Sequence, residues 1–363
     1  MPSGRVTVLG GGNTAFSVAA NLTLQGVEVT LCELAGFASM IAPIRASREI
    51  HLAGVAAKGV AKVHRVTTDL AEALAFSDLA LLIVPAYAHQ PFAEACAPHL
   101  RAGQTVVLMP GTLGALAFAR IVLERGGADV TLAETDTAPY VCRKVGPDRA
   151  HIWGVASGMG VGVFPAKETG RALGLLSPLF PGCTAYPHVV ASGLGAMNPV
   201  VHPAGVLMNA GRIEYSKGEF YFYEEGVTPG VAAVIMRVDE ERRAIGKALG
   251  LDLTPVDEGF FRAGFGPKGD LWATINGSRM LTQLKAPGSL ESRWLTEDVP
   301  YGLAAWASLG RQYGVETPVM RGLVDIGSVV MGFDGWTAGR GVRELGIAGM
   351  SRERLMQYAQ EGR

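Results

Sequence analysis

The hydrophobic pattern of the first 35 residues predicts a strand, a helix and a second strand. Residues 5–9 form a short β-branched run that ends in glycines. From 13 to 25 the apolar residues recur at helical spacing, and Gly26 ends this pattern. A second β-branched run follows at 27–32. A strand, a helix and a strand within about thirty residues form a βαβ unit, which predicts a parallel sheet.

The same alternation of strand and helix patterns continues to about residue 187. Further strands are predicted at 79–84, 105–109 and 130–134, with a helix at 116–124. Two β-rich runs at 152–155 and 160–164 are separated by glycines, and this pattern predicts a hairpin. The pattern as a whole predicts an α/β domain with a doubly wound parallel sheet of the Rossmann type over residues 1–187.

Beyond Tyr186-Pro187 the strand patterns fade and helical spacing dominates. The long apolar stretch 191–211 contains two prolines, and 231–249 is amphipathic with five charged residues, 239–243, expected on its exposed side. Further helices are predicted at 302–313 and 319–331. Residues 188–363 are therefore predicted to form a second, mainly α-helical domain.

Composition and charge disfavour several classes of protein. A chain of 363 residues suits two domains, and 32 basic against 33 acidic residues give a net charge of -1. This balance disfavours a nucleic-acid or membrane-surface partner. The four cysteines are widely spaced, which fits a reducing compartment, and the opening residues lack a signal-peptide pattern. We therefore expect a soluble cytoplasmic protein.

The glycine-rich segment 10–15, Gly-Gly-Gly-Asn-Thr-Ala, follows the first strand and opens the first helix. In that context it is a dinucleotide-binding fingerprint. The first glycine permits a sharp turn, the third lets a pyrophosphate approach the backbone, and the alanine lets helix and strand pack closely. The helix N-terminus offers free N–H groups to phosphates. The candidate cofactor-binding residues here are Gly10, Gly12, Asn13, Thr14 and Ala15.

Glu33 follows the second strand, where a carboxylate can accept hydrogen bonds from the adenosine ribose. It would repel a 2′-phosphate, and the nearest arginine after it is Arg45, so NAD(H) is favoured over NADP(H). Val84 and Pro85 lie at the C-terminus of a later predicted strand, at the sheet edge where ligands bind in such folds. We therefore add these two residues to the candidate cofactor site.

Two segments of the second half carry candidate catalytic side chains. His202 lies in the apolar, proline-bracketed run Asn-Pro-Val-Val-His-Pro, and taken alone this context favours a hydrogen-bonded core histidine over a catalytic one. The run 293–302, Arg-Trp-Leu-Thr-Glu-Asp-Val-Pro-Tyr-Gly, combines acids and an arginine with aromatics. Taken alone, it favours a helix cap formed by Thr296, with Glu297 or Asp298 in the first turn, and a surface ion pair over a catalytic role.

These motifs occur in the order seen in the octopine/nopaline dehydrogenase family, which the chain resembles over nearly its full length. Besides the glycine fingerprint and the two segments just described, 133–140, Cys142-Arg143 and 220–228 also resemble that family. The resemblance implies an enzyme that condenses an amino acid with a 2-oxo acid through an imine, which NAD(P)H reduces. The reverse oxidation uses the same chemistry.

The resemblance also implies roles for individual residues. His202 matches the catalytic histidine, Asp298 its carboxylate partner, and Arg293 the arginine that binds a substrate carboxylate. These residue types suit the chemistry, because loss of water needs a proton donor, an aspartate can fix the imidazole tautomer, and arginine presents a planar fork to a carboxylate. Tyr140 and Arg143 are candidates for orienting substrate, or alternatively for packing.

Two other functions remain open. One is a related NAD(P)-dependent 2-oxoacid or 3-hydroxyacid reductase, and the other is a dinucleotide-binding redox sensor without turnover. The histidines show no spacing that suggests a metal site. The identity of the amino acid and of the 2-oxo acid, the physiological direction and the oligomeric state, including a homodimer, are left open by the sequence.

Overall fold

The computed structural model describes residues 4–363, which form two compact units. The N-terminal unit runs to Gly193 and includes residues 356–363, and the helical unit comprises residues 194–355. The strands of the N-terminal unit are β1 (Arg5–Leu9), β2 (Glu28–Cys32), β3 (Glu49–Gly54), β4 (Gly59–Lys62), β5 (Arg65–Thr67), β6 (Leu79–Leu82), β7 (Thr105–Leu108), β8 (Thr131–Thr135), β9 (Tyr140–Gly146), β10 (Arg149–Val155), β11 (Gly160–Phe164) and β12 (Thr184–Ala185). The assignment of functional domains to 1–187 and 188–363 stays a prediction.

The α-helices follow the same chain order. They are α1 (Asn13–Leu24), α2 (Leu70–Phe76), α3 (His89–Cys96), α4 (Gly114–Glu124), α5 (Thr169–Leu176), α6 (Val189–Gly195), α7 (Asn198–Leu207), α8 (Ala210–Ser216), α9 (Pro229–Ala248), α10 (Val256–Arg262), α11 (Leu271–Asn276), α12 (Arg293–Thr296), α13 (Ala304–Gln312), α14 (Pro318–Met331), α15 (Gly335–Ala338) and α16 (Arg352–Glu361). Strands are confined to the N-terminal unit among these described elements, so the predicted mainly helical second half is confirmed.

The large sheet of the N-terminal unit has the strand order β12-β11-β8-β7-β6-β1-β2-β5. The six strands from β8 to β5 are parallel, β11 runs antiparallel to β8, and β12 is parallel to β11. This confirms the doubly wound parallel sheet. The chain order reverses between β1 and β6, and in such sheets ligands bind at the carboxyl ends of the strands beside that reversal.

A second sheet, with the order β4-β3-β10-β9, packs on α1. The predicted hairpin between residues 152–155 and 160–164 is therefore wrong. β10 pairs with β9 in the small sheet, whereas β11 pairs with β8 in the large one. The glycine-containing stretch between β10 and β11 carries the chain from one sheet to the other, so its turn residues do not close a hairpin.

In the helical unit, the apolar stretch predicted at 191–211 is divided among α6, α7 and α8. Pro199 lies in the first turn of α7, where a missing N–H costs little, whereas Pro203 lies inside that helix. Pro203 donates no hydrogen bond to the carbonyl one turn earlier, so α7 is locally weakened next to His202.

The prediction that the charged residues of α9 face solvent is wrong for three of the five. Asp239, Glu241 and Arg242 are buried. Arg242 Nε lies 3.0 Å from Asp239 Oδ1, and its Nη1 donates to Leu194 O at 2.7 Å. The Glu241 carboxylate accepts hydrogen bonds from two backbone N–H groups in the first turn of α14. Each of these buried charged groups therefore has hydrogen-bond partners. The helical spacing of polar and apolar residues in the sequence does not identify those partners.

Among residues 4–363, no helix has the length and apolar character needed to cross a bilayer.

Candidate active site

The glycine turn after β1 is shaped by close contact with the end of β6. Gly10 has φ +121°, and a Cβ there would lie 2.5 Å from Ile83 O and 2.8 Å from Val84 Cγ1. Only glycine fits this backbone geometry and this space. Val84 therefore lies beside the glycine turn, and Pro85 begins the short helical turn that follows; their role in binding a cofactor stays a prediction.

The space in front of the N-terminus of α1 is open. Gly12 is the N-cap of α1, and a Cβ there would meet no atom within 4 Å among the described residues. Behind it, Ala15 is fully buried, which permits close packing of α1. A helix N-terminus with open space before it can donate N–H groups to a pyrophosphate, so these residues fit a nicotinamide dinucleotide.

Asn13 and Thr14 contribute to this turn differently from the glycines. Asn13 Oδ1 accepts a hydrogen bond of 2.9 Å from the backbone N–H of Lys144, and Thr14 Oγ1 lies 3.7 Å from Cys142 Sγ. Both side chains thus contact β9.

Glu33 is buried beside the glycine turn. Its side chain accepts a hydrogen bond of 2.7 Å from Leu34 N, and its Oε2 lies 3.2 Å from the position of a Cβ on Gly11. Burial raises the pKa of this carboxyl, while hydrogen bonds from the Leu34 and Gly11 backbones act against the rise. The acid predicted to face an adenosine ribose is thus located at the glycine turn, and its role stays a prediction.

Tyr140 and Arg143 both lie on β9 of the small sheet. The Tyr140 hydroxyl accepts a hydrogen bond of 2.7 Å from Asn21 Nδ2 on α1, and burial raises its pKa to about 12. These contacts support the packing alternative for Tyr140. Arg143 is exposed on β9, paired in register with His151. A substrate role for either residue stays a prediction.

In the helical unit, α7 packs against a π-helical turn at Val299–Leu303, which directly follows Asp298. A Cβ on Gly302 would lie 2.4 Å from Pro199 Cβ, so glycine allows this turn to approach the start of α7. π-Helical turns are rare and occur often at functional sites. The close approach brings two segments together that are far apart in the chain.

His202 and Asp298 meet at this approach. His202 Nδ1 lies 2.8 Å from Asp298 Oδ2, across 96 residues of sequence, and both side chains are largely buried. Burial raises the pKa of Asp298, and the hydrogen bond with His202 acts against that rise. A carboxylate at Nδ1 assigns a proton to that nitrogen, which leaves Nε2 as the exchangeable position. The contact implied by the family resemblance is therefore present.

Aromatic side chains hold the imidazole on two further sides. The Trp294 ring stacks on His202 with centroids 4.4 Å apart and planes inclined by 5°, and Tyr223 OH lies 3.3 Å from His202 Nε2. Phe222 packs edge-on against Trp294 at 4.6 Å. Burial raises the pKa of Tyr223, with the nearby Asp298 adding to the rise, so its hydroxyl stays protonated. Sequence reasoning assigned no role to Trp294, although it directly follows Arg293 in the quoted motif.

Arg293 lies one helical turn from the acids of the same motif. Its Nε lies 2.7 Å from Glu297 Oε2, and its side chain is 57% exposed whereas that of Glu297 is 13% exposed. The ion pair considered from the sequence is thus present. The proposed cap is wrong, because Thr296 Oγ1 donates back to Ser292 O at 3.2 Å near the end of α12.

Within residues 4–363, no group of three or more His, Cys, Asp or Glu side chains is arranged to hold a metal ion.

Comparison with known proteins places this architecture among dehydrogenases. Residues 185–331 match the family described as "NAD/NADP octopine/nopaline dehydrogenase, alpha-helical domain". The chain is 32% identical to an opine dehydrogenase of Arthrobacter sp. (strain 1C) over 346 residues, which cover 95% of each chain. The structure of octopine dehydrogenase with NADH and L-arginine is similar with a TM-score of 0.79 at 20% identity, covering 99% of this chain and 98% of that one. Yersinopine dehydrogenase with NADP+ bound has a TM-score of 0.74 at 14% identity, covering 98% of each chain.

The relatives, together with the doubly wound sheet and its glycine turn, indicate a nicotinamide-dependent oxidoreductase. Within that class, the chain belongs to the opine dehydrogenase family.

Proposed function

We propose that this protein is an NAD(P)H-dependent opine dehydrogenase that acts on C–N bonds. It condenses an amino acid with a 2-oxo acid and reduces the resulting imine, and it also catalyses the reverse oxidation. The observation that carries this proposal is the buried pair of His202 and Asp298, in a chain that belongs to this family. A ketoacid reductase or a redox sensor has no comparable support.

In the proposed reaction His202 moves the proton. The amine adds to the ketone to give a carbinolamine, and protonation of its hydroxyl by His202 Nε2 lets water leave. Asp298 holds the other nitrogen and stabilises the imidazolium that this step requires. When bound, the reduced dinucleotide supplies the hydride that completes the secondary amine.

Trp294 and Tyr223 are proposed to orient the imidazole. The near-parallel indole restricts the ring to one plane and stabilises its protonated form through its π face. The Tyr223 hydroxyl lies at the nitrogen that must exchange a proton, so it keeps that nitrogen hydrogen-bonded before substrate arrives. Arg293 is proposed to bind a substrate carboxylate, for which its exposed planar group is suited.

The cofactor is proposed to bind residues 10–15 of the N-terminal unit, with NAD(H) favoured over NADP(H). Support for the site comes from the open helix start at Gly12, and support for the preference comes from the buried Glu33 beside the turn. In this proposal residues 1–187 bind the dinucleotide and 188–363 carry the substrate and catalytic groups. The amino acid, the 2-oxo acid and the favoured direction are to be determined by experiment.

The test is a grid of amino acids crossed with pyruvate, 2-oxoglutarate and oxaloacetate, with NADH or NADPH consumption as the readout. We expect oxidation that requires both an amino acid and a 2-oxo acid, with a secondary amine as the product identified by mass spectrometry. Oxidation with a 2-oxo acid alone would replace the proposal with a ketoacid reductase. Tight dinucleotide binding without consumption anywhere in the grid would favour the sensor.

A further inference from the structure

One face of β9 follows α1 towards the N-terminus of that helix. Tyr140 and Cys142 contact α1, and the backbone N–H of Lys144 donates to Asn13, the first residue of the helix. Alternate residues of a strand point to the same face. Lys144 therefore occupies an inward position of the small sheet, beside the first turn of α1, where an apolar side chain would be usual.

The ammonium group of Lys144 is half-buried and lacks an acidic partner. Its Nζ donates to Met40 O at 2.9 Å and lies 3.6 Å from the centre of the Phe16 ring. Over residues 4–363 it forms no ion pair with a carboxylate, and burial lowers its pKa. Two of its three N–H groups remain for other partners.

The helix start beside Lys144 adds positive charge, and the Glu33 carboxylate at the same glycine turn forms no ion pair with that lysine within residues 4–363. The N-terminus of α1 is the positive end of the helix dipole, and α1 has no acidic residue in its first turn. Met40, whose carbonyl binds the ammonium, also packs on the glycine turn, since a Cβ on Gly11 would lie 2.9 Å from Met40 Cβ. A partly desolvated cation at this position is unfavourable unless an anion binds there.

We propose that Lys144 recognises a phosphate group of the bound dinucleotide, so that the small sheet supplies the charge that the glycine turn lacks. This inference rests on the proposed dinucleotide site and adds a specific residue to it. The fingerprint contributes only backbone dipoles, whereas Lys144 contributes a full positive charge held beside the same helix start.

The test measures binding of NADH and of NADPH by titration to the wild-type protein and to Lys144→Met, Lys144→Arg and Lys62→Met. Lys62 is an exposed lysine on β4 of the same sheet and serves as the control. We expect Lys144→Met to weaken NADH binding about 10-fold and to reduce its dependence on salt, whereas Lys62→Met leaves both unchanged. Lys144→Arg should recover most of the affinity because it keeps the charge.

Thermal unfolding without ligand separates recognition from a structural role. Because Lys144 is a half-buried cation without an acidic partner, Lys144→Met should melt at the wild-type temperature or above it. Wild-type affinity of Lys144→Met for both NADH and NADPH would overturn the inference, as would a lower melting temperature with an affinity loss that arginine does not restore.

The two dinucleotides identify which phosphate is recognised. If Lys144→Met loses the same affinity for NADH and for NADPH, Lys144 binds the pyrophosphate. If it loses affinity for NADPH alone, Lys144 binds the 2′-phosphate. Both results support phosphate recognition. A wild-type protein that binds neither dinucleotide would overturn this inference together with the proposed function. Weakened binding in Lys144→Met combined with a grid that shows no reductive condensation would remove the proposed reaction and leave this inference standing.

Discussion

The glycine turn of the N-terminal unit and the His202 cluster of the helical unit are built in different ways. The turn is formed by consecutive residues and offers mainly backbone N–H groups and open space. The cluster is formed by side chains from segments almost one hundred residues apart, which are held by hydrogen bonds and aromatic stacking. Substitutions that add atoms should therefore impair the glycine turn, whereas substitutions that remove side-chain atoms should impair the His202 cluster.

The largest effect is expected when the imidazole is removed. His202→Ala should lower kcat by about 10²–10⁴-fold, because loss of water then proceeds without a positioned proton donor. NADH affinity, measured by titration of the same variant, should stay at the wild-type value and serves as the control for folding. Full turnover in this variant would refute the proton-transfer role.

Replacing the carboxylate partner should have a smaller effect, because the imidazole remains. Asp298→Asn keeps the shape but removes the charge that stabilises the imidazolium, so kcat should fall by about 10²–10³-fold. The measurement is kcat across pH in the reductive direction. An unchanged kcat at every pH would show that the 2.8 Å contact is structural only.

Asp136 is a partly buried acid of the N-terminal unit, and its hydrogen-bond partners are neutral, unlike those of Asp298. It accepts hydrogen bonds from Gly160 N and from the Tyr186 hydroxyl, each at 3.0 Å. Burial raises its pKa from 3.8 to about 6, so between these pH values the folded protein holds a proton that the unfolded chain releases. The stability gained from this proton is present at low pH and is lost as pH rises through 6.

Asp136→Asn should remove this dependence on pH. The free energy of unfolding of the variant minus that of the wild type should rise by at most about 3 kcal/mol between pH 4 and about pH 7. The wild-type carboxyl loses its stabilising proton over this range, whereas the amide of the variant cannot ionise. Urea unfolding at both pH values measures the difference. A constant difference between variant and wild type would contradict the raised pKa.

At the glycine turn, a single added methyl group should be sufficient to weaken binding. Gly12→Ala should raise the Kd for NADH by about 10-fold, because the methyl group enters the space left open for phosphate. The fold should tolerate it, since φ at this position is -79° and no described atom lies within 4 Å of the added carbon. Circular dichroism and melting temperature provide the control, and an unchanged Kd would place the phosphates elsewhere.

The smallest effect is expected at the exposed arginine. Arg293→Ala should raise the KM of one substrate by about 5-fold with little change in kcat, because its bond to a carboxylate would form in ground state and transition state alike. Arg293→Lys should recover only part of the loss, since lysine lacks the planar fork. Unchanged KM for both substrates would contradict a substrate-binding role for Arg293, whose ion pair with Glu297 would then be structural.

The sequence by itself determined the features that depend on neighbouring residues. The alternation of strands and helices, the glycine turn before α1 and the position of Glu33 after β2 were all predictable, because each depends on residues a few positions apart. The family resemblance predicted the contact between His202 and Asp298, since motif order is preserved even where the motifs lie far apart.

Only the tertiary structure decided which distant segments meet. It placed β10 and β11 in different sheets, buried Asp239 and Arg242 where the helical period predicted exposure, and stacked Trp294 on His202. It also placed Lys144 beside the start of α1. These cases share one physical reason. A charged or aromatic side chain is stable in the protein interior only if packing brings partner groups next to it, and the spacing of residues along the chain does not identify those partners.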